Sequence, residues 1–184
     1  MSAGHGHGHA EHGGNKGIAL LISVLALVLA FSETLGKSAQ TAALAYNIEA
    51  SNLWAFFQAK TIRQTVLRTA AEQTEVYGTD AEGKKQVQKW KDTAQRYQSE
   101  PETGEGRDQL AARAKEAEKK RDRAMAAYHH YELASAAVQI AIVLASASII
   151  AEIIALAWIG AALGVLGVLF CVIGFFFPTA VHLF

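Results

Sequence analysis

Residues 17–32 read GIALLISVLALVLAFS, sixteen positions without a charge. With Thr34 and Leu35 the run approaches the ~20 apolar residues that carry a helix across hydrocarbon. Residues 17–35 are therefore expected to form a first membrane span. The other end of the chain matches it. Residues 133–184 hold one charged side chain, Glu152, and a single helix of that length, rising about 1.5 Å per residue, would overshoot any bilayer. The run has to fold back. Trp158 suits a membrane interface and Gly160 tolerates a bend. The turn is expected at 157–160, giving spans at 135–157 and 158–178, closed by Pro178 and a tail at 179–184.

Between the apolar ends lies nearly all of the charge. Of 34 Asp, Glu, Lys and Arg residues, 31 fall between Glu33 and Glu132. The total is balanced, 17 basic against 17 acidic, so the strong basic excess of a nucleic-acid binder is missing and no nucleic-acid partner is expected. One cysteine gives no disulfide framework. The bilayer is the first partner implied. Cleavage of the first apolar run as a signal peptide is not expected, because its pattern passes without a break into helical sequence.

Residues 34–76 contain no proline and one glycine, Gly36, and helix formers dominate. Ala39, Tyr46, Leu53 and Leu67 recur at heptad spacing, with Ala43, Ala50, Phe57 and Ala71 four residues further on. Such a seam wants another helix against it. Gly78 and Gly83 break the pattern, a short helix is expected at 84–100 with Val87, Trp90, Ala94 and Tyr97 on one stripe, and 101–106 reads as a loop. Residues 107–133 return as helix with Leu110, Ala114, Ala117, Ala124, Tyr128 and Tyr131 in adjacent rows. The expected fold is all-α: three transmembrane helices and an extramembrane antiparallel helical hairpin, coiled-coil-like, over 36–134, preceded by a His-rich tail at 1–16. Lys37, Lys115, Lys119, Lys120, Arg121 and Arg123 against Lys16 alone favour a cytoplasmic middle and an N-terminus on the periplasmic side.

Residues 36–65, GKSAQTAALAYNIEASNLWAFFQAKTIRQT, resemble the signature of the bacterial domain-of-unknown-function 4337 family, most specifically in WAFFQAK at 54–60. The His-rich tail, apolar span, charged middle and terminal apolar pair follow the same layout. The resemblance implies a multi-pass protein of the bacterial inner membrane with no assigned activity, and transfers no catalytic residue.

Candidate chemistry is sparse. His5, His7, His9 and His12 stand in HGHGHAEH, where imidazoles separated by glycine could share a Zn, Ni or Cu ion. The plainer reading is a tail that binds such ions adventitiously, with no resident cofactor. Lys60 and Gln64 occupy seam positions where Leu or Ala is expected, and a polar residue there usually specifies register or partner. Glu116, Glu118 and Asp122 are the candidate partners of Lys60 from the facing helix; alternatively Lys60 extends its ammonium to water. Trp54 and Phe57, on one face, serve either core packing or docking of a partner.

Glu152 is the lone intramembrane charge, a functional candidate by default, with an interfacial role the plainer alternative. Gly160, Gly164 and Gly167 permit close helix approach, toward Ala141, Ala145 or Ser148. Among enzyme motifs, no phosphate loop, HExxH or GxSxG is present, so no enzymatic activity is expected. The expected role is a scaffold or accessory subunit whose helical stalk binds a protein partner or a second copy. The alternative is a metal- or ion-handling protein using the histidine tail and Glu152.

Overall fold

The structure, a computed structural model, describes residues 12–78 and 80–180, with side chains from Lys16 onward. Four helices account for it: α1 (His12–Val76), α2 (Ala81–Gln98), α3 (Arg107–Ala151) and α4 (Ile154–Phe176), with no strand among the described residues. Parts of α1 and α3, and all of α4, are long and apolar enough to cross a membrane. By contact density the chain divides into two units, one of Met1–Thr41 with Arg123–Phe184 and one of Ala42–Asp122.

In the first unit three helices pack around small residues. Leu25 of α1 meets Val138 and Ala141 of α3, with Leu21, Val28, Ile142 and Leu163 around them. Ala134, Ala141 and Ala145 of α3 are fully buried. Within lipid, tails are as apolar as leucine, so association depends on backbones coming close enough for dispersion contacts. Gly160 supplies one such approach: a β-carbon there would stand 2.8 Å from the Ala141 carbonyl oxygen.

The turn between α3 and α4 is not at 157–160. α3 ends at Ala151, Glu152 takes the left-handed conformation at φ 58, and α4 starts at Ile154. Ala157 and Gly160 are buried inside α4, and Trp158 is exposed on it. The small residues read as a bend are used for packing. The turn falls on the one charged residue of 133–184. The expected spans 135–157 and 158–178 accordingly become helices that end at 151 and begin at 154.

In the second unit the seam of α1 is the buried side. Ala43, Ala50, Leu53 and Ala71 are nearly inaccessible, as are Leu110, Ala114 and Ala117 of α3 and Val87 and Ala94 of α2. Ala50, Leu53, Leu110, Ala114 and Ala117 form one cluster, with Trp54 and Phe57 packed on it. α2 begins three residues earlier than expected because Asp80 caps it, accepting a hydrogen bond from the Gly83 N–H at 2.8 Å. Gly78, at φ 79, ends α1 in a conformation that suits glycine.

Candidate functional site

The densest polar cluster forms where α2 and the 99–106 connection meet α1 and α3 in the second unit. Lys60 is 5 % exposed. Its Nζ lies 3.4 Å from Glu100 Oε2 and 3.8 Å from Glu105 Oε2, and it also stands 5.3 Å from the Phe56 ring and 5.6 Å from the Tyr97 ring. A buried ammonium is tolerated only with such company. Gln64, one turn on, is 2 % exposed. Its Nε2 donates to the Ala94 carbonyl at 2.9 Å and to Gln98 Oε1 at 3.2 Å, and its Oε1 accepts from Arg107 Nη1.

Arg107 completes the cluster. It donates to Gln98 Oε1 at 3.1 Å and covers the Phe57 ring at 4.9 Å, while its Nε is buried without a partner. Gln98 in turn donates to Asp108 Oδ1 at 2.8 Å. Gln109 reaches back to Ser99 Oγ at 3.0 Å and accepts from the Glu100 N–H. Gly106 makes the return possible, since a β-carbon there would stand 2.8 Å from Ser99 Cα. Lys60 faces two acids, whereas Arg107 is held by the two amide oxygens of Gln64 and Gln98. These groups tie α1, α2, the 99–106 connection and α3 to one another.

The expected partners of Lys60 are a correction. Glu118 Oε1 accepts instead from Trp54 Nε1 at 2.8 Å, and Asp122 pairs with Arg121 at 2.8 Å. Asn47 meets Arg121, Trp54 meets Glu118 and Gln64 meets Arg107, so partners descend along α3 as positions rise along α1. That register sets Lys60 near the start of α3, where the acids come from the 99–106 connection. Phe57 stands edge-on to Trp54, centroids 5.4 Å apart, and both are half-buried against the core, the arrangement of packing residues.

In the first unit Glu152 is exposed at the helix turn. Of the three glycines, Gly160 faces Ala141 and Ala145, and Gly167 faces Val138 and Ala134, all on α3; Gly164 faces Leu25 of α1 instead. A shallow groove of about 320 Å³ is lined by Glu33, Lys37, Gln40, Tyr128 and Glu132. Beneath it Ser32 Oγ and Ser135 Oγ share a hydrogen bond of 2.9 Å.

His130 was not singled out alone by the sequence, which shows only a neighbouring pair. The structure separates them. His130 is 1 % exposed, its Nε2 lies 3.2 Å from the Pro178 carbonyl oxygen, and its Nδ1 is buried without a hydrogen bond. His129 lies half-exposed beside Glu132 at 3.8 Å. The fit of Gly174 against His130 is the one signal that could have marked it, a fourth small residue seven positions after Gly167.

The histidines of the tail, His5, His7 and His9, lie outside the described residues, as does the side chain of His12. Among the described residues no group of three His, Cys, Asp or Glu side chains could hold a metal ion.

Comparison with known sequences places most of the chain in a family model. A family model described as "Domain of unknown function (DUF4337)" covers residues 14–177. No curated protein and no solved structure matches.

Proposed function

This chain belongs to the DUF4337 family, a domain of unknown function, and we propose from its own geometry that it is a non-enzymatic membrane scaffold or accessory subunit. Its three long apolar helices hold it in a bilayer. Its extramembrane segment, an antiparallel helical hairpin closed by α2, is the part that docks.

One observation carries the reading. Between Leu44 and Val66, fifteen positions of α1 are exposed, and only Glu49 and Arg63 of these are charged. Leu44, Ile48, Ile62 and Val66 are each more than half exposed. On α3, by contrast, seven of the eight exposed positions from Asp108 to Asp122 are charged. A helix face meant for water is normally charged, and an uncharged face of this length marks a contact surface.

The inward polar cluster supports the same role, because it fixes α2 and the connection and so keeps the α1 face rigid. A bacterial inner-membrane location with the central segment in the cytoplasm belongs to the reading, supported by the lysines and arginines at 115–123.

The test is the size of the full-length protein extracted in mild detergent. The wild type should elute as an assembly larger than one chain. Ile48→Glu with Ile62→Glu, both at exposed sites, should elute smaller with an unchanged melting temperature. Identical elution of the two would remove the docking reading. Metal handling by HGHGHAEH is the alternative, supported by that sequence alone. Removal of residues 1–14 separates the two, because a scaffold keeps its assembly without them and a metal handler loses its metal.

A further inference from the structure

The exposed face of α1 has a spacing of its own. Ala45, Ile48, Asn52, Ala55, Ala59, Ile62 and Val66 follow one another at alternating intervals of three and four, and every one is exposed. This is a second heptad seam, on the side of α1 away from the buried residues Ala43, Ala50, Leu53, Lys60 and Gln64. It is some 21 residues long, roughly 32 Å of helix, and no member is charged. Alternating three-and-four spacing is what knobs-into-holes packing of one helix on another requires. The spacing therefore names the occupant as a helix.

Three features say whose helix it is. Copies of one chain in one bilayer share their topology, so their α1 helices run parallel. In a parallel, in-register pair each seam position meets itself, which repels wherever the residue is charged; this seam is free of charge throughout. In such a pair Asn52 takes the heptad position at which a single asparagine hydrogen-bonds to its own counterpart and fixes register and dimeric state. The flanking positions agree, since Leu44 would lie by Glu49, Ser51 by Phe56 and Gln58 by Arg63 of the other copy, with no like charges opposed. Ala45, Ala55 and Ala59 let the two backbones approach.

We propose that the outer seam of α1, from Ala45 to Val66, joins two copies of this chain as a parallel in-register pair centred on Asn52. This rests on the docking reading above and names its partner. Confinement to a membrane raises the effective concentration of one copy around another, so three heptads suffice.

The test uses the full-length chain in intact membranes. A photo-crosslinking benzophenone amino acid is introduced at Ile48 or Ile62, and at Glu116 of α3 as the control. The expected result is an adduct at twice the 19.7 kDa chain mass from 48 and 62 and none from 116. Adducts of any other mass would show a different protein on the face, overturning self-pairing while docking stands. Absence of any adduct at 48 and 62 would overturn both.

Register is read separately in a Cys171→Ala background, where Asn52→Cys should form disulfide-linked dimers on mild oxidation and Asn47→Cys, off the seam, should not. Dimer adducts at 48 and 62 without a disulfide at Asn52→Cys would overturn the in-register arrangement.

Discussion

Lys60 Nζ stands 3.4 Å from Glu100 Oε2, with the lysine side chain 6 % exposed and the glutamate 22 %. A pair this enclosed need not stabilise the fold, because desolvation of both ions offsets their attraction, yet loss of one partner strands the other. Glu100→Ala leaves Lys60 only Glu105, at 3.8 Å, and should cost about 3 kcal/mol. Lys60→Met replaces the buried ammonium by an unbranched apolar side chain and leaves Glu100 with Arg96 at 3.6 Å. It should cost less than about 1 kcal/mol. Urea unfolding of the two variants in micelles checks the order. A costlier Lys60→Met would mean that the ion pair itself stabilises the structure.

Trp54 and Glu118 tie α1 to α3 by a hydrogen bond of 2.8 Å to a carboxylate. Trp54→Phe keeps the edge-on contact with Phe57 but removes the donor, and should cost about 1.5–3 kcal/mol. Glu118→Gln keeps an acceptor and should cost roughly half of that. The same unfolding measurement reads both. A loss at Trp54→Phe with none at Glu118→Gln would show that indole packing, and not the bond, is what Trp54 contributes.

The buried seam of α1 was legible because burial writes a period into sequence: Ala43, Ala50, Leu53 and Ala71 recur as the helix turns and all are inaccessible. The polar intruders Lys60 and Gln64 were legible for the same reason. Their partners were not. The register of α1 on α3 depends on how α2 and the 99–106 connection fill the space between them, and periodicity along one helix carries no information about that. Glu118 therefore reads as one of three candidates for Lys60 although it serves Trp54. The turn is hidden in the sequence for a different reason. Glycine and alanine serve bends and close packing alike, and Gly160 proved to be a packing residue against Ala141. His130 and His129 differ only in which side of α3 they occupy, which the sequence shows once the α4 glycines are set against that helix.

The α4 glycines differ in what an added methyl would meet. At Gly160 it meets the Ala141 carbonyl oxygen at 2.8 Å, part of a helix backbone that cannot step aside. At Gly167 it meets the Val138 Cγ2 methyl at 2.5 Å, with the Ala134 carbonyl oxygen further off at 3.1 Å. At Gly17 nothing lies within 4 Å. Gly160→Ala should destabilise by about 1–3 kcal/mol, and Gly167→Ala by less, because a valine rotamer can yield. Gly17→Ala should be neutral or slightly stabilising. Thermal unfolding of the three in the same detergent tests the ranking; equal midpoints for Gly160→Ala and Gly17→Ala would mean that α3 and α4 do not approach this closely.

Glu152 carries a second consequence of its position. It is the one non-glycine with positive φ among the described residues, at 58°, a conformation that costs an ordinary side chain roughly 1 kcal/mol. Glu152→Gly removes that strain and should stabilise the chain by about 1 kcal/mol. Glu152→Val, branched at Cβ, should destabilise it. Removal of the charge could produce a gain by another route, so Glu152→Gln separates the two effects. Glutamine keeps the strain and loses the charge, and should unfold with the wild type. If glutamine matched glycine, the carboxylate's burial in apolar surroundings would be the unfavourable term, and the turn would have to lie deeper in hydrocarbon than a helix end that meets water. If glycine alone gained, Glu152 is retained at the cost of local strain, and its carboxylate is the group to follow in any assay of assembly.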